Sequence, residues 1–253
     1  MRFVDLSAPI EPSPPETPEP LRTEIDFSGH EAGARAVEAL FGVPTRLLHD
    51  REGWATEEFT RLGTHNCTHV DAPWHYNSRI AGQAAATIDE LPLEWFFGPG
   101  VVLDMTGKAD GDAIGAAEIE RELERVGHQL AELDIVLVRT GRDAYYSEPD
   151  YIARGPGVTA EATRWLYEHG VRVMGIDAWG WDAPLHLQAQ EALERGEAGV
   201  FWAAHQCDLP YCQIERLVNL SALPATGFRV ACFPLRIPGA SAGPTRAVAV
   251  LTD

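Results

Sequence analysis

Hydrophobic positions along this chain fall into continuous runs and spaced stripes, and each kind predicts a different element. Val101–Met105 reads as a strand, and Ile135–Arg139 is an unbroken apolar, β-branched run of the kind that forms a strand buried on both faces. Val171–Ile176 returns as a strand, and Phe228–Phe233 and Ala247–Leu251 supply two more in the C-terminal third. Between them, Ala116–Val126, Thr159–His169 and Leu185–Arg195 read as helices. Thr159 is placed to cap its helix, Gly170 lies just past that helix's end, and Gly196 follows the third helix. The alternation predicts an α/β fold with a mixed sheet and some antiparallel pairing, in a single domain over 1–253. The segment 8–20 interrupts the pattern. Its six prolines fix φ and remove donors, which predicts an extended arm or loop, either disordered or laid over a partner subunit.

Composition narrows the function classes. With 253 residues and 45% hydrophobic content the chain can bury a full core. Its 20 Lys+Arg against 38 Asp+Glu give a net charge of −18, which repels nucleic acid and anionic membrane, so neither is expected as a partner. There is no apolar run of spanning length and no basic leader before an apolar stretch, which points to a cytoplasmic protein. Four cysteines (Cys67, Cys207, Cys212, Cys232) do not make a disulfide framework and are expected to be buried thiols.

The candidate chemistry is concentrated in His65-Asn-Cys-Thr-His69-Val-Asp71-Ala-Pro-Trp-His75. His65, His69, Asp71 and His75 share one side of an extended chain, yet a straight strand would hold His65 about 20 Å from Asp71. A single cation binds its ligands at about 2 Å, so the segment is expected to fold back near Cys67-Thr68. Pro73 biases Ala72 away from helix, which disfavours one continuous helix. Two imidazoles and a carboxylate gathered in a turn suit zinc, with manganese as the alternative. The bland reading is a set of hydrogen-bonded loop histidines. A third histidine and an aspartate at these spacings favour the metal site over it.

The run resembles the H-x-G-T-H-x-D-x-P-x-H signature of the cyclase family, which includes bacterial kynurenine formamidases and isatin hydrolases. Further likeness lies in Val4–Ser7, Thr87–Leu93, Val138–Gly141, Gly175–Ala178 with Asp182, and Ile214–Leu220. The resemblance implies a compact β/β/α domain, dimeric or tetrameric, with His65, His69 and Asp71 as metal ligands and His75 as the acid/base. It also implies that His205 and Glu215 complete the centre. His205 follows the apolar run Val200–Ala204, read as the end of a buried strand, and Glu215 precedes Leu217 and Leu220, read as a helix or turn. The chain departs from the signature at Cys67, which stands where the family has glycine. Either that turn uses an ordinary backbone conformation or the thiol has a local role.

Trp74 and Tyr76 flank His75 and are candidates to wall a flat substrate pocket, or else to join the core. Asp177 and Asp182, which flank Trp179 and Trp181, read as a loop at a strand end, and the resemblance implies that Asp177 either supports the metal ligands or is structural. The resemblance implies a small-molecule enzyme that cleaves the C–N bond of an amide, formamide or lactam. A polyketide-type cyclase or lyase on the same site, and a non-catalytic metal-binding protein, are the alternatives.

Overall fold

The computed structural model describes residues 1–251 and divides into two compact units, one made of Met1–Pro9 with the chain from Cys67 onward, the other of Ile10–Asn66. The larger unit is α/β, as its hydrophobic pattern predicts, and is organised by a nine-stranded mixed sheet. Its strands run in the order Arg2–Asp5, Val248–Leu251, Phe228–Ala231, Phe97–Asp104, Ile135–Arg139, Val173–Ile176, Cys212–Glu215, His69–Asp71, Ala242–Pro244. The four strands from Phe97–Asp104 to Cys212–Glu215 are mutually parallel, and the remaining pairings are antiparallel.

Both faces of this sheet are apolar, which is why its central strands show no alternation in the sequence. Val101, Leu103, Val136, Val138, Met174 and Ile176 belong to one core, with Ile119, Leu123, Ala162 and Leu166 of the helices Ala116–Val126 and Ala160–Glu168. Val102, Ile135, Leu137, Val173, Cys212, Ile214 and Val70 face the other core, with Leu6, Phe96, Leu217 and Leu220.

Element boundaries follow local chemistry. The helices Ala116–Val126 and Leu185–Arg195 and the strand Ile135–Arg139 match the sequence expectation residue for residue. The helix Ala160–Glu168 begins after Thr159, whose hydroxyl accepts from the Ala162 amide, and Leu185–Arg195 stops at Gly196, which takes the left-handed conformation at φ 64°. The strand read over Val101–Met105 starts four residues earlier, at Phe97, because its N-terminal half pairs with Phe228–Ala231. That pairing joins residues far apart in sequence and leaves no local pattern.

In the smaller unit Glu24–Ser28 pairs antiparallel with Thr56–Arg61, and the helix His30–Phe41 ends at left-handed Gly42. Gly33 and Gly53 let two backbone segments touch: a Cβ on Gly33 would sit 1.8 Å from the Trp54 carbonyl oxygen. Of the proline-rich stretch, Ile10–Pro20 lies in this unit, extended except for a turn in which the Thr17 amide donates to the Pro14 carbonyl and for the 3-10 turn Glu19–Leu21. No helix among the described residues is long and apolar enough to cross a membrane.

Replacing Thr159 with alanine removes one helix-capping bond and is expected to cost about 1 kcal/mol of stability, with Thr159→Ser close to wild type. Urea unfolding followed by circular dichroism checks this, and equal midpoints for the alanine variant and wild type would contradict it.

Candidate metal centre

The centre is built on a register. His69–Asp71 pairs antiparallel with Cys212–Glu215 so that His69 stands opposite Glu215 and Asp71 opposite Gln213. Directly opposed residues of such a pair bring their Cβ atoms to within about 5.5 Å on one face. Val70 and Ile214 turn to the apolar core, and His69, Asp71 and Glu215 therefore share the other face. All three are buried. His69 Nε2 lies 3.1 Å from an Asp71 oxygen and 3.7 Å from Glu215 Oε2. One ligand atom from each of the three fits within a 4.8 Å span, a spacing one cation can bridge.

Glu215 ends a parallel strand, and the loop beyond the carboxyl end of its neighbour Val173–Ile176 supplies the rest of the setting, the usual place for a site in such sheets. The Trp181 amide donates to Glu215 Oε1 at 2.9 Å, while the buried indole N–H of Trp181 donates to Thr163 and fixes that loop. Asp182 accepts from the Ala204 and His205 amides and from His205 Nδ1, the last at 2.5 Å. This leaves His205 Nε2 3.5 Å from Glu215 Oε1. A carboxylate holding one imidazole nitrogen and leaving the other to face a second carboxylate is the arrangement that orients a metal-binding histidine. Burial alone would lower the His205 pKa, but the Asp182 and Glu215 carboxylates outweigh it and push the imidazole up to about 10. Buried carboxylates at this density demand positive charge, which a proton on His205 or a divalent cation can supply.

The structure corrects two sequence expectations here. Val200–Ala204 is not a strand: residues 201–206 form consecutive turns, pinned by Asp182 and by Gln188, whose side-chain oxygen accepts from the Trp202 amide. The apolar run reflects contacts made by a turn, with Trp202 at φ 62°. Glu215 is the last residue of the strand Cys212–Glu215, and not part of a helix or turn; its preference is set by pairing with strands on both sides.

His75 lies in the short helix Pro73–Tyr76, entered from extended Ala72 as the proline requires. A ring nitrogen of His75 and an Asp71 oxygen lie within 4.8 Å of each other. The Tyr76, Trp202 and His205 rings surround the His75 ring at 5.9, 5.1 and 5.9 Å. Trp202 also stacks on His205 at 4.6 Å with its plane only 8° away. Nothing in the sequence singled out Trp202, although its place three residues before His205 was the available signal. Tyr76 is buried against His205 and Tyr211, and desolvation pushes its phenol well above the ordinary range. Trp74 points differently, being 43% exposed. His65 occupies the turn at the end of the smaller unit, where the Asn66 amide donates to the Gly63 carbonyl.

Cys67 takes no left-handed conformation, so the backbone does not require glycine there. Its thiol is buried and donates to the Thr68 carbonyl, and desolvation pushes it up to about 11, which keeps it neutral at ordinary pH. Asp177 holds the next strand end: its carboxylate accepts from the Thr140 amide and hydroxyl and from the Gly141 amide, and burial still pushes its pKa up to about 6.

Comparison with known proteins adds three observations. The family model described as "Putative cyclase" matches residues 4–183. The kynurenine formamidase of Salinibacter ruber is 33% identical over 195 residues, covering 74% of this chain and 76% of that protein; the isatin hydrolase of Roseibium aggregatum is 27% identical over 206 residues, covering 75% and 73%. Isatin hydrolase A from Labrenzia aggregata, solved with benzyl benzoate, superposes with a TM-score of 0.70 at 23% identity, over all of this chain and 94% of that one.

Because Cys67 is a neutral, packed side chain in an ordinary conformation, Cys67→Gly is expected to change metal affinity by less than about tenfold. Competition with a chromophoric chelator measures this, and a larger loss would make the thiol part of the centre.

Proposed function

The chain belongs to the cyclase family, and on that premise we propose that it is a metal-dependent hydrolase of the C–N bond in a small amide, formamide or lactam. The observation that carries the reading is the buried group His69, Asp71 and Glu215, with His205 held beside it by Asp182. Two imidazoles and carboxylates match the donor preference of zinc, and manganese is the alternative. His69, Asp71, Glu215 and His205 would hold the ion. A divalent ion there supplies the positive charge that acidifies water and polarises an amide carbonyl.

The remaining work falls to the chain's own groups. His75 sits within reach of Asp71 on the short helix Pro73–Tyr76, outside the His69–Glu215 ladder, and its imidazole suits proton transfer to the departing nitrogen. Trp202 and Tyr76 fix the plane of that imidazole through edge contacts and shield it from water. Asp182 holds His205 Nδ1, which commits Nε2 to the side of Glu215. Names of relatives support the bond type: both kynurenine formamidase and isatin hydrolase are amide hydrolases.

Protein never exposed to chelators or to a metal-charged resin is expected to carry at least about half an equivalent of zinc or manganese per chain. His75→Ala should keep that metal while losing about 10²–10⁴-fold in turnover of a formanilide or lactam substrate. Elemental analysis below about a tenth of an equivalent, with no activity restored by added metal, overturns the proposal.

A further inference from the structure

Arg216 follows Glu215 directly and has three properties that are costly together. It is only 7% exposed, so a full positive charge is buried. Its φ is +59°, a left-handed conformation that residues with a Cβ seldom adopt. Among the described residues its guanidinium donates no hydrogen bond and meets no carboxylate; Nε is buried without a partner. The Trp179 ring lies beneath it, 4.7 Å from the guanidinium carbon to the centroid. This happens in a chain of 38 acidic residues against 20 basic ones, where a counterion is easily supplied. Three half-buried arginines, by contrast, meet carboxylates: Arg142 with Asp110, Arg139 with Asp104, and Arg154, whose Nε alone lacks a partner, with Asp150 and Asp110.

The surroundings of Arg216 are built, not accidental. Its carbonyl accepts from the buried Thr68 hydroxyl at 2.6 Å, its amide donates to Ala178, and the Thr68 hydroxyl itself accepts from Ala8. The backbone is thereby held while the head group is left unpaired. A second buried donor, the hydroxyl of Tyr151, also has no hydrogen-bond partner, and it lies close enough to feel the charges of both Arg216 and Glu215. Unpaired donors next to a candidate metal carboxylate form a receptor for an anion, and a guanidinium fork fits a carboxylate better than any other common group.

We propose that Arg216, with the Tyr151 hydroxyl, binds a carboxylate carried by the substrate, so that the chain selects amides or lactams bearing an acidic group over neutral ones. This rests on the hydrolase reading for the reacting bond but not for the anion site.

Calorimetric titration of the metal-loaded full chain with benzoate and with benzamide tests the anion site without turnover. Benzoate is expected to bind at least tenfold more tightly than benzamide. Arg216→Met should abolish the difference, and Arg216→Lys should keep part of it. Equal binding of the two probes by wild type overturns the proposal, as does a benzoate preference that survives in folded Arg216→Met, since the metal alone would then be the anion's partner. Should Arg216→Met fail to fold, the wild-type comparison and Arg216→Lys decide. In parallel, kcat/KM for 2-formamidobenzoate should exceed that for formanilide at least tenfold, carried by KM, with the ratio falling in Arg216→Lys. Hydrolysis of neither compound, with a benzoate preference that needs Arg216, sinks the hydrolase reading and leaves the anion site standing. Equal hydrolysis of both sinks the substrate assignment alone.

Discussion

The antiparallel register of His69 against Glu215 is the constraint on which the rest of this site depends. It forces an imidazole and two carboxylates onto one buried face at the carboxyl ends of parallel strands. Buried acidic groups are unfavourable unless paired, so everything nearby is arranged to hold or neutralise them. The Trp181 amide donates to Glu215, and His205 is drawn in by Asp182. Slipping His69–Asp71 by one residue against Cys212–Glu215 would turn Val70 toward the site and bury His69 and Asp71 in hydrocarbon. The apolar residues between the polar ones therefore fix the chemistry as firmly as the ligands do.

A second layer of constraint comes from loops whose backbone amides are consumed by carboxylates. Asp182 ties down the turns at 201–206, and Asp177 ties down Thr140 and Gly141 beyond a neighbouring strand. Each replaces a sheet bond that irregular backbone cannot make, so the rim of the site is held by side chains and not by secondary structure. Arg216 differs from both, because its backbone is tied down and its side chain is not.

Sequence patterning captured what is local. Helices with a cap at Thr159 or a glycine stop at Gly196, and the unbroken run Ile135–Arg139, announce themselves through nearest neighbours. The cluster His65 to His75 was legible because four chemically apt residues lie within one short segment. Strand identity at Glu215 and turn identity at Val200–Ala204 were not legible, since both are imposed by partners distant in sequence. Trp202 shows the same limit: an aromatic in an apolar run reads as core until the turn brings it onto His205. The unpaired state of Arg216 is a property of its surroundings and has no signature in composition or spacing.

The placement of Glu215 also sets an order in time. A growing chain carries His69 and Asp71 early, but nothing stands opposite them until Cys212–Glu215 has been made and has entered between Val173–Ile176 and His69–Asp71. That insertion closes a long loop and joins the parallel strands to the antiparallel ones. Whatever cation the proposed centre holds, its capture by the full set of groups has to wait until Cys212–Glu215 has joined His69–Asp71, with three strands of the sheet, Phe228–Ala231, Ala242–Pro244 and Val248–Leu251, still to follow in the chain.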